Sequence, residues 1–194
     1  MPDLRSLSPH TTVHKHNPRD DWLDIGNGQQ FKAEGATLRA LHSPGHTTDH
    51  MAFILEEEDA MFTADNVLGQ GTAVFEDLAS YLHSLETMAH AFGGRAYPGH
   101  GPVIPHGPAR IREYLQHRKQ REQQVLDVVA SESPRHAGWT SRELVKVIYK
   151  HYPESLWEPA ERGVLQILEK LGAESKVRWD EASATWALGG KSSL

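Results

Sequence analysis

The chain has 194 residues, and 26 acidic side chains outnumber 20 lysines and arginines, for a net charge of −6 at pH 7. That balance argues against generic nucleic-acid coating or attachment to an anionic membrane, and 38% hydrophobic content is ordinary for a globular protein. There is no cysteine, so disulfides, thiolate zinc sites and a cysteine nucleophile are excluded, and any metal site must come from the carboxylates and the 13 histidines.

Residues 1–30 have weak periodicity and are rich in Pro, Asp, Asn and Gly. They predict an irregular segment, with Gly26-Asn27-Gly28 a turn and His14-Lys15-His16 part of a solvated tail. No signal-peptide core stands there and no apolar run reaches the roughly 20 residues of a membrane helix, so a cytoplasmic or mitochondrial protein is expected. Residues 36–42 predict a strand, Ser43-Pro44-Gly45 a break, and residues 50–56 and 60–64 two more strands around an acidic turn. Leu78, Tyr81, Leu82, Leu85, Met88, Ala89 and Phe92 repeat at helical spacing, and Gly93-Gly94 stops them. A short strand at 95–97 leads to Pro98-Gly99-His100-Gly101, and a long helix follows from Pro108 to Ala130. Residues 132–138 read as a boundary between a 31–131 domain and a 138–190 domain. Thr140 and Glu143 fit a capping box, and Leu144, Val147 and Ile148 give that helix an apolar face. A second helix at 158–171 is expected to stop at Gly172, and strands at 176–179 and 185–188 complete a winged-helix-like unit.

His46, Asp65 and His100 stand out. Each follows a predicted strand in a break, where a sheet presents side chains to a ligand. Flanking glycines let the backbone turn close to a site. Two imidazoles and a carboxylate suit zinc, and also iron or manganese. His42, His46 and His50 recur every four residues, but Pro44-Gly45 breaks the helix that would align them, so they are not read as a metal face. His14, His16, His83, His90, His106, His136 and His151 lack the strand-end setting and are expected to lie outside the cluster.

Ser43-Pro44-Gly45-His46-Thr47, Thr63-Ala64-Asp65-Asn66 and Tyr97-Pro98-Gly99-His100-Gly101 resemble, in order, the third, fourth and fifth motifs of the metallo-β-lactamase superfamily. The stretches 68–78 and 117–124 and the helix around Leu144–Lys150 resemble the beta-lactamase-like protein 2 group and the lactamase-like thioesterases of fungal polyketide pathways. The resemblance implies an α/β fold: the C-terminal part of an αβ/βα sandwich, followed by a small winged-helix-like domain. It implies a two-zinc hydrolase in which His46 completes one metal's set, Asp65 bridges and His100 binds the second metal. The family's His-x-His-x-Asp-His motif is absent from these 194 residues. An N-terminally truncated, impaired hydrolase with an uncovered apolar sheet face is therefore expected. Ala64 stands where the family usually has Gly, a costly exchange if φ there is positive.

Three readings follow. The first is thioester or ester hydrolysis on a small-molecule or acyl-carrier-bound substrate. The second is a single-stranded RNA endonuclease, favoured by Arg110, Arg112, Arg118, Lys119 and Arg121 against Glu113 and Glu122, although such mixed charge more often marks a solvated helix face. The third is a non-catalytic remnant or interaction module. DNA is not expected, because the second helix of the winged-helix-like unit carries Glu158, Glu161 and Glu169.

Overall fold

Two short strands, β1 (His14–Lys15) and β2 (Leu23–Asp24), pair in parallel and correct the expected solvated tail. His16 Nδ1 donates to the Ile25 carbonyl at 2.8 Å, and Asn17 N–H donates to Asp24 at 2.7 Å. The His14 ring stands edge-on to Phe31 at 5.0 Å, the His16 ring lies 4.3 Å from that of His42, and Lys15 pairs with Asp49. Ladders of two residues are too short to leave a period in the sequence. The computed structural model describes residues 11–18, 22–134 and 137–190; His136 lies outside them.

The chain divides into two units, Met1–Glu113 and Tyr114–Leu194. The first holds a five-stranded sheet of β3 (Gln30–Ala33), β4 (Ala36–His42), β5 (Met51–Leu55), β6 (Ala60–Ala64) and β7 (Ala96–Pro98), in that order. β3 was not foreseen, since one phenylalanine in four residues carries little alternation. It is set by a two-residue hairpin: Ala33 pairs with Ala36, and Gly35 between them takes φ +74°. β3 to β6 run antiparallel, and β6 pairs with β7 in parallel.

One sheet face buries Leu41, Ala52, Ile54, Met61 and Ala96. Helix α1 (Leu78–Ala91) contributes Leu78, Tyr81, Leu85 and Met88 to the same core, at the spacing that marked it in the sequence. Asp77 caps it by accepting from Ser80 N–H at 2.7 Å. The other face carries Phe53, Phe62 and Tyr97 in one cross-strand register, with Phe62 stacked on Tyr97 at 5.0 Å. Phe62 is 40% exposed.

Helix α2 (Gly107–Ala130) begins in the first unit and ends in the second. The expected boundary at 132–138 follows the end of this helix. The division instead falls inside it, because Glu122 pairs with Lys170 and Arg121 lies over the Tyr149 ring. The second unit continues with α3 (Ser141–Ile148), α4 (Trp157–Ala173) and the hairpin β8 (Val177–Asp180) and β9 (Thr185–Leu188). The capping box forms as expected: Thr140 Oγ1 accepts from Glu143 N–H at 3.2 Å, and Glu143 accepts from Thr140 N–H at 3.0 Å. Gly172 does not stop α4, which runs one residue further.

Candidate metal centre

β4, β6 and β7 point the same way, because two antiparallel pairings separate β4 from β6 and a parallel one joins β6 to β7. Their C-terminal ends therefore open at one end of the sheet, and the loops there carry His46, Asp65 and His100. The three converge. His46 Nε2 lies 3.8 Å from Asp65 Oδ2, and His100 Nε2 lies 3.4 Å from Oδ1.

The His46 and His100 loops are each shaped by a glycine. At Gly45, φ is +131°, and a Cβ would fall 2.3 Å from Tyr81 Cα, so the loop lies directly against α1. The Gly45 carbonyl accepts from Glu76 and Asp77 N–H at 2.7 and 3.2 Å, and Ser84 Oγ donates to the Pro44 carbonyl at 2.7 Å. Held this way, His46 donates from Nδ1 to the Val74 carbonyl at 2.8 Å. A carbonyl only accepts, so Nδ1 carries a proton, and Nε2 is the ring nitrogen turned toward Asp65. At Gly99 a Cβ would fall 2.6 Å from Asp65 Oδ1, while Gly99 N–H donates to the Ala64 carbonyl at 2.8 Å. His100 is fixed further by its carbonyl, which accepts from Gly69 N–H at 2.9 Å. Ala64 does take a positive φ, +43°.

Beneath the loops lies a buried polar layer that sequence reasoning missed. Asn66 donates from Nδ2 to the Ser43 carbonyl at 2.7 Å, and Tyr81 O–H donates to the Asn66 carbonyl at 2.7 Å. Ser43 Oγ meets His50 Nδ1 at 2.9 Å, and the His50 ring stands edge-on to that of His46 at 5.9 Å. Burial, reinforced by His46 nearby and opposed by Asp65, pushes the His50 imidazole down to about 4, so it is neutral at pH 7. The signal available was its place at the mouth of the apolar strand 51–55, where a polar residue needs a partner.

The remaining histidines are engaged elsewhere or form no ion pair with Asp65 among the described residues. His14 packs on Phe31, His16 bonds Ile25, and His90 bonds the Glu86 carbonyl at 2.7 Å.

The sequence of the second unit matches the family model described as the beta-lactamase associated winged helix domain, over residues 140–186. The chain is 39% identical over 191 residues to lactamase-like protein aptB of Emericella nidulans, covering 95% of this chain and 62% of that protein. It is 41% identical over 186 residues to atrochrysone carboxyl ACP thioesterase of Aspergillus chevalieri, covering 93% of this chain and 60% of that protein. In structure it is similar to a metallo-β-lactamase family protein of Thermus thermophilus, with a TM-score of 0.69 and 26% identity over 88% of this chain and 56% of that one. The chain belongs to the metallo-β-lactamase superfamily. It spans about 60% of the length of these curated relatives.

Within this metallo-β-lactamase frame the donors fit a metal in their chemistry. Imidazole Nε2 of a neutral ring and a carboxylate oxygen are both acceptors, and two acceptors face each other stably only across a cation or a proton. Asp65 Oδ1 is buried and accepts no aligned hydrogen bond. One imidazole stands beside each carboxylate oxygen, and both residue types are zinc ligands. The set is not drawn tight: no group of three His, Asp or Glu side chains is gathered to hold an ion among the described residues. Nitrogen and carboxylate donors suit zinc, iron and manganese alike.

Proposed function

We propose that the chain serves metal-dependent hydrolysis of an acyl thioester, with the acyl group presented on an acyl-carrier protein. The observation that carries this is the convergence of His46 Nε2 and His100 Nε2 on the two oxygens of Asp65. The substrate class is supported by the 41% identity to a relative named as an ACP thioesterase. His46, Asp65 and His100 are the residues that would hold the ions. Bound there, metal ions lower the pKa of water and polarise the acyl carbonyl. The protein's own part is orientation: Val74 fixes the His46 tautomer, and Gly99 lets the carboxylate sit under the His100 loop. His100 is 78% exposed, which leaves that flank open to an extended acyl chain and to water. In the net reaction water adds to the acyl carbon, the carbon–sulfur bond breaks, and a carboxylic acid and a thiol leave.

The RNA reading is not favoured. Arg110 pairs with Glu113, and Arg121 bonds Gln124 and lies over Tyr149. The charges of α4 are likewise engaged, Glu161 by Ser141 and Arg142 and Lys170 by Glu122 and Glu174, which supports a packing role for the winged-helix unit. Among the described residues no helix is long and apolar enough to cross a membrane.

The test is thiol release from an acyl-pantetheine thioester with zinc, iron or manganese added. The chain has no cysteine, so a thiol reagent sees no protein background. Asp65→Asn and His100→Ala should lower both metal content and turnover by at least about tenfold. Wild-type protein that turns over equally well in excess chelator would sink the proposal.

A further inference from the structure

Residues 69–77 run from the His100 loop to the His46 loop and are bonded to both. At one end Gly69 N–H donates to the His100 carbonyl at 2.9 Å. At the other the Val74 carbonyl accepts from His46 Nδ1 at 2.8 Å, and Glu76 and Asp77 N–H donate to the Gly45 carbonyl. Between them Arg110 donates to the Gly71 carbonyl at 3.3 Å. The segment turns the apolar neighbours of Val74 inward: Ala73 is 4% exposed, and the Phe75 ring stacks on that of Tyr81 at 5.3 Å. Val74 itself is 73% exposed, the most exposed large apolar side chain among the described residues. A single exposed valine is ordinary on a protein surface. This one sits in backbone contact with a candidate metal ligand, and bond lengths keep its Cβ within about 6 Å of His46 Nδ1. The other exposed side chains between Gly69 and Val74, those of Gln70 and Thr72, are polar.

We propose that the Val74 side chain is the apolar contact for the substrate's acyl chain and selects longer acyl groups over acetyl. The proposal rests on the thioester reading of the site. The segment leads from the open His100 flank to His46, and Val74 is the exposed apolar side chain along it. An acyl group whose carbonyl lies beside Asp65 reaches Val74 only when it is several carbons long, so acetyl gains nothing from the contact. Covering the valine removes apolar surface of both partners from water. The carbonyl and the side chain of this residue have separate tasks. The carbonyl holds the His46 ring, and every L residue at position 74 keeps it. The side chain touches substrate away from the reacting carbon, so it strengthens ground state and transition state alike. Its effect therefore falls on KM and not on kcat.

The test compares residues 1–194 as wild type and Val74→Ala on acetyl-pantetheine and octanoyl-pantetheine, with zinc added. Val74→Ala should raise KM for the octanoyl thioester about three- to tenfold. Its kcat on both substrates and its KM for acetyl should stay within about twofold of wild type, and so should its zinc affinity. A second measurement needs no turnover. Wild type with 13C-labelled valine methyl groups is titrated with the octyl thioether of pantetheine, which has no bond to hydrolyse, and with the methyl thioether. The Val74 methyl signals should shift with the octyl compound and stay in place with the methyl one. An equal rise in KM for acetyl and octanoyl substrates overturns the proposal. So do Val74 methyl signals that stay in place up to the solubility limit of the octyl thioether. A wild type that hydrolyses neither thioester overturns the hydrolytic reading instead, and the thioether titration still decides the place of Val74.

Discussion

Ala64 sits at φ +43°, immediately before the carboxylate on which two imidazoles converge. A left-handed backbone costs a residue with a Cβ about 1–2 kcal/mol, whereas glycine returns about 0.4–1 kcal/mol of that as entropy of the unfolded chain. Ala64→Gly should therefore stabilise the first unit by up to about 1 kcal/mol, read as a higher denaturant midpoint; a lower midpoint would show the strain to be relieved by neighbours. The same residue shows what was legible. A family pattern with Gly at this position marked it, while composition alone says nothing about its φ. His46, Asp65 and His100 were legible because each stands in a break after a strand. His50 was not, because its four-residue spacing from His46 points only to a helix that Pro44-Gly45 forbids. Its partner, Ser43, comes from the far side of the same loop.

Loops rather than strands carry the site, and their glycines are the parts that tolerate least. Gly99→Ala would put a methyl group 2.6 Å from Asp65 Oδ1 and 3.2 Å from the Ala64 carbonyl carbon. The carboxylate must then turn away from its place beside His100. We expect metal affinity to fall at least tenfold with secondary structure intact, measured by metal titration and circular dichroism. Unchanged affinity would mean that the loop can give by several tenths of an ångström. Helices were read well because their apolar faces repeat over several turns, and so were the strands 36–42, 51–55 and 60–64. β1, β2 and β3 were lost because two to four residues cannot establish a period, and their order comes from pairing partners.

At the scale of the whole chain, the two units are stabilised by different means. The first depends on strand register and glycine-shaped loops. The second ties α2 to α4 and the start of β8 through Glu122, Lys170, Glu174 and Lys176, with N–O distances of 2.8 Å for Lys170–Glu122 and 2.7 Å for Lys170–Glu174 and Lys176–Glu174. Hydrogen bonds from Lys170 and then Lys176 hold the Glu174 carboxyl below the usual glutamate range. Its stabilising share is present above that range and is lost as pH falls through the lowered value. Burial pulls the Lys170 ammonium down, but its hydrogen bonds to Glu122 and Glu174 outweigh this and raise it. Its share is present below the usual lysine range and is lost as pH rises through the raised value. Four of the five tryptophans, Trp139, Trp157, Trp179 and Trp186, lie in this unit and Trp22 in the first, so tryptophan fluorescence of a Trp22→Phe background in denaturant follows it. Wild type should be most stable between these limits, and Lys170→Met should flatten the profile at both ends; an unchanged profile would remove the network from the account.

The meeting of two loops at the strand ends bears on how the site breathes. A Cβ at Gly69 would fall 2.1 Å from the Pro102 carbonyl oxygen, and one at Gly101 would fall 2.7 Å from Gln70 N. With Gly69 N–H bonded to the His100 carbonyl, neither loop can lift away by itself. Their amides should exchange with solvent deuterium as one cooperative unit, and the lifetime of that joint opening sets the fastest rate at which the His100 loop can part from its neighbour.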